Sequence, residues 1–190
     1  MRNVLSIPRP SFGWLAVITL LLLPVFTSSG AVDMFLKLSG IKGESLDSEH
    51  KDSIEVLSWS WGASNSGTTH SGAGSGSGKP TVQDINITKY IDRASPALLL
   101  NTMNGKQIST GELIVRRGGM KPSELLKIEL KDILVTSITT GGSEGADRLT
   151  ENVTLNFGKY RLTYTPQNPD GSKGTPVVVE WDITAETPTF

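Results

Sequence analysis

An all-β domain with one short helix is the fold class that this sequence predicts, and three observations predict it. Runs of strand length in which apolar and polar residues alternate outnumber the single stretch with helical signals. Twenty glycines and ten prolines in 190 residues supply the turns of such a fold. The alternation also slips by one residue inside two long runs, which marks bent strands that serve both sheets of a closed barrel.

Taken in order, Val32–Leu38 reads as the first strand, with Met34, Leu36 and Leu38 on one face. Ser39–Ser53 is polar and turn-rich. Ile54–Trp61 is the second strand, with Glu55, Leu57, Trp59 and Trp61 on one face and Ile54, Val56, Ser58 and Ser60 on the other. Gly62–Pro80 differs in kind, with six glycines between Gly62 and Gly78 and no large hydrophobe. It can bury little apolar area against a backbone ordering cost of roughly 1–2 kcal/mol per residue, so it is expected to be a mobile loop. Val82–Ile91 returns as a strand, with Ile85, Ile87 and Ile91 on one face.

Ser95-Pro96 opens the one good helix, serine as N-cap and proline at the first helical position, and Asn104-Gly105 supplies the stop. Gly111–Arg116 is the next strand. In Leu125–Thr140, Leu126, Ile128 and Leu130 alternate with Lys127, Glu129 and Lys131, and the phase slips near Asp132 to Ile133 and Val135. A glycine turn (Gly141, Gly142, Gly145) joins this strand to the next as an antiparallel hairpin. There Val153, Leu155 and Phe157 lie on odd positions and Tyr160, Leu162 and Tyr164 on even ones, with Gly158 between. Pro169-Asp170-Gly171 is a turn, and Val177, Val179, Trp181 and Ile183 form the last strand's apolar face.

Several kinds of chemistry are excluded. Net charge is −1 over the whole chain, and no basic stripe exists for nucleic acid. Without cysteine there is no disulfide framework and no thiolate metal site. The two histidines, His50 and His70, have no ligand spacing, and no cofactor is implied. The glycine series ending at Gly78-Lys79 fails as a phosphate loop, because Ala73 replaces the required glycine and Pro80 follows the lysine. Gly141–Gly145 matches a nucleophile-elbow string, but a strand rather than a helix follows Ser143. Asn86-Ile87-Thr88 and Asn152-Val153-Thr154 match the glycosylation pattern yet sit within strands. Trp59, Trp61 and Trp181 fit a core or an interface better than sugar stacking. No catalytic residue is assigned.

One string stands apart: Thr140–Phe157, T-G-G-S-E-G-A-D-R-L-T-E-N-V-T-L-N-F. It is accompanied, in order, by Ala31-Val32-Asp33-Met34-Phe35, Lys42-Gly43-Glu44-Ser45, Leu57-Ser58-Trp59-Ser60-Trp61-Gly62, the glycine-rich loop, Val82-Gln83-Asp84, Thr88-Lys89-Tyr90-Ile91-Asp92 and Trp181-Asp182-Ile183. The ordered set resembles the hemolysin-coregulated protein (Hcp) family, the tube-forming subunits of type VI secretion systems, over nearly all of residues 31–190. The resemblance implies a two-sheet β-barrel with a flanking helix, hexameric rings that stack into a hollow tube, and export of the protein itself. It also implies spike and sheath proteins as partners and small effector proteins carried in the lumen. The expected subunit-interface elements are the loop 62–79, the turn 140–148 and the N-terminal strand edge. Their candidate residues are Trp61, Gly62, Gly72, Gly74, Gly76, Gly78, Lys79, Ser143, Asp147 and Arg148. The rival reading is a secreted β-sandwich module that binds carbohydrate or protein with the same fold and no tube.

The N-terminus departs from the family pattern. Arg2 and Arg9 precede the apolar run Trp14–Leu23, Pro24 breaks it, and small residues follow to Ala31. Residues 1–31 therefore read as a secretory leader directing general export to the periplasm, or as the product of a start codon placed too far upstream. The run is short against the roughly 20 residues of a spanning helix, so no stable membrane insertion is expected after leader removal. Removing residues 1–30 takes away two arginines and no acids, leaving 16 basic and 19 acidic residues. Residues 32–190 are expected to be one domain.

Overall fold

A computed structural model describes residues 32–67, 77–118 and 122–190. The leader falls outside the described residues. Ten strands and one helix follow in the order β1 (Val32–Leu38), β2 (Ile54–Ser60), β3 (Ala63–Gly67), β4 (Ser77–Val82), β5 (Ile85–Tyr90), α1 (Ser95–Asn104), β6 (Ile108–Arg117), β7 (Ser123–Gly141), β8 (Thr150–Asn156), β9 (Lys159–Tyr164) and β10 (Val177–Asp182). The larger sheet runs β10-β9-β7-β6-β1-β2-β5-β8, and β8 pairs back onto β7. Six strands thus close into a barrel, while β9 and β10 extend it as a wing along β7. Strands β3 and β4 form a separate hairpin.

The two predicted phase slips fall where the chain changes sheets. Strand β7 pairs with β9 through Lys131 and with β8 from Leu134 onward. Between them Asp132 has φ 57°, the left-handed conformation that accommodates an extra residue. Opposite it, Gly158 separates β8 from β9 and donates its N–H to the Lys131 carbonyl at 3.0 Å. Ile128 and Leu130 therefore face inward on one side of the slip, and Ile133 and Val135 on the other, all of them buried.

The barrel interior is aliphatic. Leu36, Ile54, Ile85, Ile87, Leu113, Ile128, Leu130 and Leu155 are almost wholly buried, and Leu98 of α1 caps one end. Each such side chain contributes roughly 1.5–3 kcal/mol relative to exposure. Gly111 belongs to this interior: a Cβ there would lie 2.7 Å from Ile133 Cδ1 and 2.8 Å from Leu38 Cδ2.

Several local expectations are corrected. The register of β2 shifts between Val56 and Ser58, so alternation does not continue through Leu57. Leu57 is exposed, and Trp59 packs on the core. Of the predicted loop 62–80, the described ends are the strands β3 and β4, held by mutual backbone pairing. Residues 68–76 lie outside the described residues. The predicted strand 82–91 divides at Gln83-Asp84, and Ile91 is exposed while Lys89 takes the inward position after Ile85 and Ile87. Ala94 rather than Ser95 is the helix N-cap, since the Ser95 hydroxyl is engaged elsewhere; Gly105 does close the helix, at φ 64°. Val177 and Val179 of β10 are exposed rather than buried. The two glycosylation-like tripeptides lie opposite each other: Thr88 Oγ1 donates to Asn152 Oδ1 at 2.8 Å and Thr154 Oγ1 to Asn86 Oδ1 at 2.9 Å. They form a cross-strand polar ladder on the outer surface.

Candidate functional site

The strings that stand out in the sequence are hydrogen-bonded to one another in the fold. Lys89 extends into the barrel end beneath α1, fully buried. Its three N–H groups donate to Glu151 Oε1 and Asp92 Oδ1, both at 2.7 Å, and to the Tyr90 carbonyl at 2.8 Å, and Ser95 Oγ lies 3.2 Å from the same Nζ. Ser95 in turn donates to Glu151 Oε1 at 2.7 Å and accepts the Asp92 N–H at 3.0 Å. One ammonium therefore ties β5, β8 and the start of α1 together. Neighbouring Arg93 hydrogen-bonds the Gly43 carbonyl, and its own N–H donates to Glu44 at 3.0 Å, anchoring the 42–45 string.

A second ionic cluster holds the loop after β1. Arg116 of β6 donates to Asp47 Oδ1 and Asp33 Oδ2, both at 3.0 Å, and stands over the Phe35 ring. This guanidinium holds the Asp47 carboxyl well below the usual carboxylate range, and the carboxylates push the guanidinium further up. His50, nearly buried, stacks on Phe35 with ring centroids 4.5 Å apart. Neither of its ring nitrogens is hydrogen-bonded among the described residues. Desolvation, followed by the charges of Lys37 and Arg116, lowers its pKa. Sequence reasoning placed His50 in an ordinary polar loop and missed both clusters.

Among the described residues, two edges of the larger sheet stay open. β10 has β9 on one side only, and Val177, Val178 and Val179 stand exposed along it. β1 runs beside β6 for its full length but meets β2 only at Phe35↔Glu55 and Leu36↔Ile54. Val32–Met34 therefore lacks a partner on the β2 side among the described residues, next to an open groove of about 430 Å³ that includes Val32, Met34, Leu46 and Leu57. Both open edges end the same row of strands, β10-β9-β7-β6-β1. Across the outer face of that row runs a ladder of opposed charges and like charges, Lys37↔Glu112, Glu112↔Glu129, Glu129↔Arg161 and Arg161↔Glu180.

The predicted interface residues divide into two groups. Trp61, Gly62, Gly78 and Lys79 lie at or on the β3–β4 hairpin. Trp61 is chiefly a core pillar: its ring meets Tyr160 edge-on at 4.8 Å and its Nε1–H donates to the Gln83 carbonyl at 3.0 Å. Gly62 accepts the Gln83 N–H at 2.9 Å, and Lys79 pairs with Glu186 at 2.6 Å. Gly72, Gly74 and Gly76 fall outside the described residues. Ser143, Asp147 and Arg148 occupy the β7–β8 turn, where Arg148 covers the Tyr90 ring at 3.8 Å. Strand β5 separates the groups, since the hairpin leads into Ile85 whereas Tyr90 pairs with Thr150 beside the turn. Five residue steps put them about 17 Å apart along the strand.

Among the described residues no cluster of acids and histidines is suited to a metal ion, and no helix is long and apolar enough to cross a membrane. The features that stand out are structural: a closed barrel, a wing that ends in the unmatched edge of β10, and a second open stretch along β1. Such a molecule belongs to the class of closed β-barrels with one flanking helix. Residues 35–164 match the family described as Type VI secretion system effector, Hcp. Protein hcp1 of Pseudomonas aeruginosa is 51% identical over 155 residues, which cover 80% of this chain and 96% of that protein. A solved type six secretion system protein superposes with a TM-score of 0.79 at 29% identity, covering 83% of this chain and 99% of that one. Hcp1 from Salmonella typhimurium gives a TM-score of 0.69 at 33% identity, with 84% and 99% covered. The chain belongs to the Hcp family and is a type VI secretion tube protein.

Proposed function

We propose that the chain closes into a hexameric ring through the two unmatched edges of one sheet, and that the rings stack into a tube. The observation that carries this reading is the pair of open edges, β10 with its exposed valines and Val32–Met34 of β1, at opposite ends of one row of strands. Joining β10 of one copy to β1 of the next satisfies backbone groups on both and buries Val177–Val179. The two surfaces differ, so the contact is heterologous and closes only by rotation into a ring. The row β10-β9-β7-β6-β1 then becomes a continuous wall whose charged outer face lines the lumen. A polar wall suits passage of small effector proteins, since it offers no broad apolar surface to hold them. The β3–β4 hairpin and the β7–β8 turn, at opposite ends of β5, are positioned for ring-to-ring contact. Spike and sheath proteins meet the tube's end and exterior, and the protein leaves the cell with the tube. The work is geometric and uses no catalytic group. The relatives lie within type VI secretion, and no observation favours a free-standing binding module.

The absence of cysteine makes the edge contact directly testable. Paired replacements, one from Val177→Cys, Val178→Cys or Val179→Cys and one from Asp33→Cys or Met34→Cys, bring sulfurs into bridging range when Cα atoms approach within about 7 Å. Oxidation is expected to give a ladder of covalent oligomers ending at the hexamer. If every pairing stays monomeric while the single variants still assemble, the edges are not the ring contact. The hairpin role has its own readout: backbone amides at 62–79 are expected to exchange more slowly in stacked rings than in free subunits, and equal exchange removes that role.

A further inference from the structure

After β10 the chain turns back onto the outer face of its own sheet. The Asp182 N–H donates to the Thr187 carbonyl at 2.8 Å, and the Ala185 N–H to Asp182 Oδ1 at 2.8 Å. This return delivers Phe190 onto the ladder of charges. Its ring centroid lies 4.2 Å from Lys131 Nζ and 4.5 Å from Arg161 Cζ, so two cations meet one aromatic ring. Arg161 is held in place by Glu180, 2.8 Å from its Nε, with Glu129 at 3.8 Å. The ring does not fill the site. Beside it a groove of about 410 Å³ continues across β7, β6 and β1 toward Lys37, passing Glu112 and the backbone of Gly111. That volume lies in the range of small-ligand sites and leaves room for the residues flanking an aromatic anchor.

We propose that this groove is a binding site for polypeptides that present an aromatic residue, above all a phenylalanine, and that Phe190 is its resident occupant. The chemistry is complementary in two respects. The electron-rich ring face meets Lys131 and Arg161, and the flanking backbone meets the polar wall of Lys37, Glu112 and Thr110. An incoming aromatic must displace the Phe190 ring, so that ring sets a threshold: weak or non-aromatic sequences slide past, and an aromatic side chain competes. The use of the groove as a cargo contact rests on the ring reading, which turns this face to the lumen. Binding itself does not depend on it.

The test uses the full chain carrying Phe190→Ala, which empties the aromatic position, and a synthetic peptide of Ala185–Phe190 as probe. By calorimetry or fluorescence anisotropy the variant is expected to bind the peptide at least about tenfold more tightly than the unaltered chain does, because the resident ring no longer competes. The same peptide ending in alanine is expected not to bind, and Lys131→Gln added to Phe190→Ala is expected to weaken capture severalfold. In the unaltered chain, Lys131→Gln alone is expected to loosen the tail, read as a changed fluorine resonance of 4-fluorophenylalanine placed at 190. Equal binding of the two peptides, or no binding to Phe190→Ala, would overturn the proposal. Light-scattering mass of the same samples reports ring assembly separately, so a failed groove and a failed ring cannot be confused.

Discussion

Replacing Lys89 by methionine leaves Glu151 buried without its ammonium partner, and the size of the loss follows from the site. The Lys89 and Glu151 side chains are both wholly inaccessible, and the Lys89–Glu151 and Lys89–Asp92 contacts are each 2.7 Å. Removing one member of such a group is expected to cost about 3–5 kcal/mol, since the remaining carboxylate keeps its desolvation cost and loses its counter-charge. Ser95 still donates to Glu151, but one neutral donor does not replace the ion. Urea unfolding of the dilute subunit, followed by tryptophan fluorescence, measures the loss. For a domain of this size it corresponds to a fall in Tm of very roughly 6–20 °C. The companion Lys89→Met/Glu151→Leu removes the wholly buried pair, leaves Asp92 with the Ala94 N–H as donor, and is expected to recover much of the loss, as apolar replacement of buried pairs commonly does. A loss below about 1 kcal/mol in the single variant would mean that the ammonium is hydrated in solution and the pair is not buried as described.

Gly111→Ala is expected to destabilise by about 1–3 kcal/mol, since its Cβ overlaps Ile133 and Leu38; an unchanged urea midpoint contradicts that packing. His50 gives a pH dependence. Its folded pKa lies below the ordinary 6.5, so on acidification the unfolded chain takes up the proton first. The resulting stability is complete above about pH 6.5 and is lost as pH falls from there toward the folded pKa. His50→Phe, which keeps the stack on Phe35, is expected to flatten the unfolding midpoint between about pH 7 and 5; an unaltered slope assigns the effect to other groups. Intact mass of the protein from its native source is expected to lack about the first 30 residues if the leader is cleaved. A mass retaining them shows that no signal peptidase acts there.

Much of the barrel was legible because burial and alternation coincide. β1 spans the predicted residues, and the slips at Asp132 and Gly158 mark the points where the chain changes sheets. The failures have physical causes. At Leu57 a bulge resets the alternation, and nothing in L-S-W-S announces it. β3 and β4 are mostly small and polar residues, with Val82 their one large hydrophobe; they hold together by backbone pairing, which leaves no hydrophobic period to read. His50 is buried by a contact with Phe35, fifteen residues earlier in the chain, and local composition carries no trace of that. Lys89 could have been found, because it shares the parity of Ile85 and Ile87, and a lysine on an inward face requires an acid. Of the interface candidates, Trp61 illustrates the limit: an aromatic at a strand end serves a core and an interface equally well, and only the contacts to Tyr160 and Phe157 show the core use.

The proposed ring closes through the open edges of a single sheet. Light-scattering mass together with electron-microscope imaging of Ala31–Phe190 tests it most directly, with Val178→Pro as the matched control. Six-subunit rings with a central hole are expected for the unaltered domain, and folded monomers for the control, whose β10 edge is interrupted. A strict monomer at high concentration, or intact rings from Val178→Pro, would contradict it.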